Sequence, residues 1–187
     1  MNRSSPADLP SSWVRRFAPL IPADGLVLDL ACGWGRHARL LSGLGHRVEA
    51  VDRDAEALAA LAGIDGVTTR QADLEGGPWP YYNFAFDGIV VTNYLFRPLL
   101  PLLINTLGEG GVLIYETFME GNDRFGKPSN PAFLLRPGEL LEVVRRRLTV
   151  VAFEQGEVEH PRAAMIQRIC AARRLNSPLP ESAAPEP

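Results

Sequence analysis

The chain has 187 residues, 46% of them apolar and 22% charged, with a formal net charge of −3. That composition fits one globular domain with a sizeable core and excludes the strongly basic balance of a nucleic-acid-binding protein. No run approaches the roughly 18 apolar residues of a membrane span, and the opening M-N-R-S-S-P-A-D-L-P lacks the apolar core of a secretory signal, so a cytoplasmic location is expected. The two cysteines, Cys32 and Cys170, stand outside any Cys/His ligand spacing, so neither a disulfide framework nor a structural metal is expected.

Residues 1–10 and 176–187, the latter N-S-P-L-P-E-S-A-A-P-E-P, carry too little apolar surface to fold and read as disordered tails around a domain spanning 11–175. Within it, Ser11–Leu20 puts Trp13, Val14 and Phe17 on one helix face, laid over the sheet edge or a ligand pocket. Leu26–Ala31 is the first strand. Gly35–Leu44 is a helix with Ala38, Leu41 and Leu44 in a stripe, ended by Gly45. Arg47–Asp52 is the second strand, Asp54 caps a helix running to Leu61, and Val67–Ala72 is a short third strand. A fourth lies in Asp87–Asn93, followed by a Pro-opened helix through Leu107 and a fifth strand, Val112–Phe118.

Met119–Arg136 then forms a long loop, Pro137 opens a helix through Arg147, where Arg145-Arg146-Arg147 suits a helix C-terminus, and Leu148–Phe153 and Ala163–Ala172 are strands six and seven. The eight residues of Gln155–Arg162 are too few for a helical crossover, so the last two strands pair antiparallel. The fold class is α/β: a single doubly wound, seven-stranded sheet, mostly parallel with an antiparallel terminal strand.

In such sheets ligands lie beyond the carboxyl ends of the strands, which directs attention to the residues after strands one to four. After strand one, L-V-L-D-L-A-C-G-W-G-R-H turns on Gly33 and Gly35, where backbone N–H groups can approach a ligand without an intervening Cβ. Asp52 ends strand two and can accept both hydroxyls of a ribose. Asp73 follows strand three and can accept from an adenine amino group, with Leu74 offering its backbone N–H and Arg53 and Leu74 flanking the ring. The glycines alone also satisfy the dinucleotide pattern G-x-G-x-x-A through Ala38, so an NAD(P)-dependent oxidoreductase remains an alternative at this point.

D-L-A-C-G-W-G-R, V-E-A-V-D-R-D, A-D-L-E and F-D-G-I-V-V-T-N followed by L-G-E-G-G-V-L-I-Y-E-T-F together resemble the motifs of class I S-adenosylmethionine-dependent methyltransferases, with Asp29 as the acid of the first. G-N-D-R-F-G-K-P and L-L-R-P-G-E-L are similar to stretches of the small tellurite-resistance-type group of that class. The resemblance covers about residues 24–172 and implies a Rossmann-like fold with S-adenosylmethionine as cofactor. It places Asp29, Gly33 and Gly35 around the methionine moiety, Asp52 at the ribose and Asp73 at the adenine, with Ala31, Arg53, Leu74 and Thr92 as further cofactor contacts. Ala31 stands where many members have glycine, and is accommodated if its φ is negative.

Methyl transfer needs an acceptor lone pair held in line with the S–CH₃ bond, and a base where the acceptor must lose a proton. Tyr94 and His37 are the candidate catalytic groups, the alternatives being a packed aromatic for Tyr94 and an ordinary surface or helix residue for His37. Tyr94, Arg97, Phe118, Arg124, Phe125 and Arg136 are the candidate acceptor contacts. The loop Met119–Arg136 is expected to close as a lid and, with Tyr94 and Arg97, to set acceptor choice. Asn93-Tyr94 lacks the two prolines of the N-P-P-Y type, which argues against a nucleic-acid base. The expected function is therefore methyl transfer to a small molecule, a metalloid oxyanion or an organic acceptor, by a monomer or homodimer. The alternatives are a non-catalytic module that binds S-adenosylmethionine and an NAD(P)-dependent oxidoreductase.

Overall fold

The computed structural model describes residues 9–174. Apart from Leu9 and Pro10, the segments expected to be disordered lie outside the described residues. The helices are α1 (Ser12–Phe17), α2 (Arg36–Gly43), α3 (Ala55–Ala59), α4 (Leu100–Thr106) and α5 (Glu139–Val144); the strands are β1 (Leu26–Leu30), β2 (Arg47–Asp52), β3 (Val67–Gln71), β4 (Phe86–Thr92), β5 (Leu107–Phe118), β6 (Thr149–Val158) and β7 (Ala164–Ala172).

The seven strands form one sheet in the order β3-β2-β1-β4-β5-β7-β6. β1 to β5 run parallel, and β7 lies antiparallel between β5 and β6. The chain reverses its direction of winding between β1 and β4, and a ligand crevice opens at that point in such sheets.

Both faces of the sheet are buried, so the central strands are almost continuously apolar. On one face Val27, Val48, Ala50, Val90 and Ile114 pack under Trp13, Val14 and Phe17 of α1 and Ala38 and Leu41 of α2. On the other, Leu28, Leu30, Ile89, Val91 and Tyr115 pack under Leu100 and Leu103 of α4 and Leu140 and Val144 of α5. Glu49 of β2 is one exception to this apolar pattern: 6% exposed, it accepts from Arg70 Nε at 2.7 Å and from the Tyr81 hydroxyl at 3.1 Å.

Three elements differ from expectation. β5 starts at Leu107 rather than Val112, because Leu107 pairs with Phe86 before a register shift brings Val112 opposite Gly88. β6 continues to Val158, as an edge strand needs only one neighbour and tolerates polar residues on its open side. α5 stops at Val144, and the arginine run lies beyond it with Arg146 at φ +61°.

The segment 119–136 forms two single 3₁₀ turns, Asn122–Phe125 and Pro131–Phe133. Its ends are stitched together: Leu135 N–H donates to Phe118 O at 3.0 Å and Glu120 N–H to Leu135 O at 2.9 Å. The buried Asn122 side chain holds the middle, donating to Pro128 O at 2.9 Å and accepting from Met165 N–H at 3.0 Å.

Candidate active site

β1 delivers Asp29 to the switch point, 1% exposed. Its Oδ2 is buried without a hydrogen-bond partner. Burial pushes its carboxyl up to about 7, with the Ala38 amide and the Arg36 guanidinium pulling the other way. Burial, together with the Asp29 and Asp52 carboxylates, also keeps the adjacent Cys32 thiol protonated.

The turn after β1 is built from left-handed backbone: Ala31 at φ +53°, Gly33 at +52° and Gly35 at +74°. Ala31 therefore does not have the negative φ expected of it. It adopts the conformation for which glycine is suited, at a cost of about 1–2 kcal/mol. The strain recurs one strand away, where Asn93 turns at φ +55° after β4. Two strained turns at the ends of neighbouring strands are typical of a working site rather than a scaffold. The two glycines have different tasks. A Cβ on Gly33 would meet nothing within 4 Å, so that backbone faces open space, whereas one on Gly35 would collide with Leu61. Gly33 leaves room for a ligand, and Gly35 lets α2 start close against Leu61.

Asp52, at the end of β2, bridges this turn to the next: Oδ2 accepts from Gly33 N–H at 2.8 Å and Oδ1 from Asp54 N–H at 3.0 Å. Each carboxylate oxygen retains a lone pair for a further donor. Arg53 is exposed, and its carbonyl accepts from Gln71 Nε2 at 3.1 Å. Asp73 accepts from Glu75 N–H at 3.0 Å and Gly76 N–H at 3.1 Å; the Gly76 and Glu75 amides hold its carboxyl below the usual range. Leu74 beside it is buried in the core. The orphaned Asp29 oxygen, the open face of Gly33 and the spare lone pairs of Asp52 suit a ligand that brings hydrogen-bond donors at both ends, as an amino acid joined to a nucleoside does.

On the acceptor side the expected residues fall on both faces of the sheet. His37 is buried and engaged at both ring nitrogens: Nε2 accepts from Ser11 N–H at 3.1 Å, which assigns the proton to Nδ1, 3.4 Å from Thr92 Oγ1. Burial and the neighbouring Arg36 push it down to about 3, so it is neutral. The Tyr94 hydroxyl is buried without a partner of good geometry. Burial and the nearby Glu75 carboxylate raise its ionisation far above the ordinary tyrosine range, so it is a proton donor rather than a base. Its carbonyl accepts from the Tyr115 hydroxyl at 2.8 Å.

Arg97 grips Glu139 through Nε at 2.7 Å and Nη2 at 2.9 Å, and the loop carbonyls of Ala132 at 3.0 Å and Leu134 at 2.8 Å. Arg136 meets the same Glu139 through its amide at 2.8 Å. Arg124 lies over Phe125, 5.1 Å from the ring centroid, and bonds Gly121 O at 3.2 Å. Phe118 packs with Leu134, Ala164 and Ile166 under the Arg162 guanidinium. Trp34 is 61% exposed on the glycine turn.

The sequence reading missed Glu116, Arg168 and Ser11. Thr92, Glu116, Arg168 and Glu154 are successive register partners across β4, β5, β7 and β6. Glu116 Oε1 accepts from the Ser11 hydroxyl at 2.8 Å and Oε2 from Arg168 Nη1 at 3.2 Å. Glu116 is an acid near the carboxyl end of an apolar strand, the signal that singled out Asp29 and Asp52, and extending that inspection to strand five finds it.

Residues 27–105 match the family described as a methyltransferase domain. No curated protein matches the chain significantly. Among solved structures, TehB from Haemophilus influenzae is similar with a TM-score of 0.72 and 22% identity over 88% of this chain, which spans 63% of that protein. A TehB-like SAM-dependent methyltransferase from Corynebacterium glutamicum aligns with a TM-score of 0.63 and 21% identity over 87% of each chain. Coclaurine N-methyltransferase, bound to N-methylheliamine and SAH, aligns with a TM-score of 0.64 and 12% identity over 84% of this chain and 70% of that one. The fold is that of the S-adenosylmethionine-dependent methyltransferases. The stretch that matches the methyltransferase domain family carries the glycine turn, Asp29, Asp52 and Asp73.

Proposed function

We propose that this chain is an enzyme that transfers the methyl group of S-adenosylmethionine to a small acceptor, releasing S-adenosylhomocysteine. The observation that carries this is the buried, unpartnered Asp29 oxygen beside the open backbone of Gly33, with Asp52 bonded to that same turn. When bound, S-adenosylmethionine supplies an activated methyl carbon, which passes to an acceptor lone pair while the S–C bond breaks and its electron pair stays on sulfur.

The protein's task is placement and exclusion of water. Asp29 and the 31–35 turn receive the amino-acid end, Asp52 the ribose hydroxyls, and Asp73 with Leu74 the base. Thr92, Asn93 and Tyr94 lie between that row and the acceptor side. Neutral His37 orients Thr92 through its Nδ1 proton rather than acting as a base. The 119–136 segment, anchored by Asn122 and Arg97, forms a wall of the acceptor side, with Phe118, Arg124, Phe125 and Arg136 along it.

No helix among the described residues is long and apolar enough to cross a membrane. A cytoplasmic monomer or homodimer acting on a small molecule, not a nucleic acid, completes this reading. Calorimetry with S-adenosylhomocysteine and NAD, followed by transfer of labelled methyl groups across small-molecule pools, tests it. Saturable NAD binding with no response to S-adenosylhomocysteine contradicts it.

A further inference from the structure

Resting on that reading, we propose that the acceptor is a small amine or alcohol whose N–H or O–H is received by Glu116, and that the Ser11 hydroxyl occupies this acceptor oxygen until the substrate displaces it. Glu116 is the register partner of Thr92 on the next strand, so the two side chains lie on the same face of the sheet near its carboxyl end. Its side chain is 14% exposed, and its Oε2 is fixed by Arg168, which also bonds Glu154 through Nε at 2.9 Å. Oε1 is directed at the Ser11 hydroxyl.

That hydroxyl belongs to a short segment held over the site by three bonds: Arg36 Nη1 to Leu9 O at 3.2 Å, Ser11 N–H to His37 Nε2 and Ser11 Oγ to Glu116. Ser11 Oγ also accepts from Trp13 N–H at 3.1 Å and Val14 N–H at 3.4 Å as the cap of α1. Its lone pairs face those amides and its one proton goes to Glu116. The hydroxyl thus presents to Glu116 what an amine or alcohol would present.

The donor–acceptor chemistry excludes the oxyanion alternative. A carboxylate accepts hydrogen bonds and a deprotonated oxyanion offers lone pairs, so the two repel. Several of the cations that would offset this are engaged elsewhere: Arg97 and Arg136 on Glu139, Arg124 on Gly121 O and Glu157, and Arg168 on Glu116 and Glu154. Next to Arg168, the partner of Glu116, a shallow groove of about 80 Å³ is lined by Arg168, Glu154, Gln155, Gly156, Glu157, Val158 and Ile166, and Ile166 is the register partner of Phe118. That space takes a body of a few heavy atoms attached to the donor group, and its two carboxylates add to the disfavour for an anion.

The test uses the full chain with n-propylamine, n-propanol and tellurite as probes. Binding is followed by calorimetry on protein saturated with S-adenosylhomocysteine, and turnover by labelled methyl transfer. The expected result is that the amine or the alcohol binds and is methylated and tellurite is not. Glu116→Gln should raise KM for that probe about tenfold or more, with a smaller change in kcat and S-adenosylhomocysteine affinity within about twofold. Ser11→Gly removes the competing hydroxyl with a residue that still suits a helix cap, and should lower KM several-fold. Binding of none of the probes, turnover of tellurite alone, or a KM unmoved by Glu116→Gln overturns the proposal. Loss of S-adenosylhomocysteine binding by the wild-type protein would instead signal failure of the methyltransferase reading itself.

Discussion

Arg97 and Glu139 form a two-point ion pair, Nε to Oε1 at 2.7 Å and Nη2 to Oε2 at 2.9 Å, joining the segment after β4 to the start of α5. Glu139 is 6% exposed and also receives the Arg136 amide. Burial alone would push its carboxyl up; the bonds from Arg97 and Arg136 outweigh this and hold it below the usual range. The pair fastens the 119–136 segment, because the same guanidinium holds the Ala132 and Leu134 carbonyls.

Arg97→Ala should therefore destabilise the protein by roughly 2–4 kcal/mol, since it leaves a buried carboxylate uncompensated, the partial exposure of Arg97 reducing the loss. The depressed carboxyl makes this contribution present above the ordinary glutamate range and lost as acid protonates Glu139. Urea denaturation of both proteins down to acid pH measures it: the difference should shrink toward low pH, while S-adenosylhomocysteine affinity changes little.

Asp29 has the opposite sign. Its folded value of about 7 lies above the ordinary 3.8, so folding takes up a proton between those limits. Stability is greatest at the acid end of that window and falls as pH rises toward about 7, by on the order of 4 kcal/mol in all. Asp29→Asn should flatten this slope in urea titrations while weakening S-adenosylhomocysteine binding. An unchanged slope would show that Asp29 is ionised in the folded protein.

Replacing Asp52 with Ala removes the acceptor for Gly33 N–H together with the proposed ribose contact. Loss of charge-assisted bonds worth roughly 1.5–3 kcal/mol lowers cofactor affinity about 10- to 150-fold. Calorimetry with S-adenosylhomocysteine checks it, and an affinity within about twofold of wild type removes Asp52 from the ribose site.

Ala31→Gly relieves a left-handed alanine at φ +53°. The gain of about 1–2 kcal/mol is partly offset by the greater freedom of glycine in the unfolded chain, leaving a net stabilisation of about 0.5–1 kcal/mol. Thermal denaturation should show a higher Tm with cofactor binding retained.

The cluster proposed to receive the cofactor was legible in the sequence because its residues are local. Asp29, Gly33 and Gly35 fall within one strand and turn, and Asp52 closes the next strand, so spacing alone brings them together. The acceptor side depends on partners far apart in the chain. Ser11 meets Glu116 across 105 positions and Arg97 meets Glu139 across 42, and no periodicity encodes such pairings. Arg97 and Arg136 read as acceptor contacts because their common partner, Glu139, read as an ordinary residue of a helix's first turn. The helix after strand four read as running through Leu107, yet Leu107 already pairs with Phe86 ahead of the register shift. The 119–136 segment read as a lid because the bonds that anchor it run from Asn122 and Arg97 to residues distant in sequence.

The insertion of β7 between β5 and β6 also bears on how the protein is made. Synthesis proceeds from the N-terminus, so β6 emerges before the strand that joins it to the sheet. Until β7 follows, β5 offers an unpaired edge flanked by Val112, Ile114 and Phe118, of the kind that recruits other chains. A ribosome that stalls or terminates within residues 159–172 would release a nascent chain with its cofactor turn complete and its sheet unfinished, a product suited to aggregation and to quality-control proteolysis.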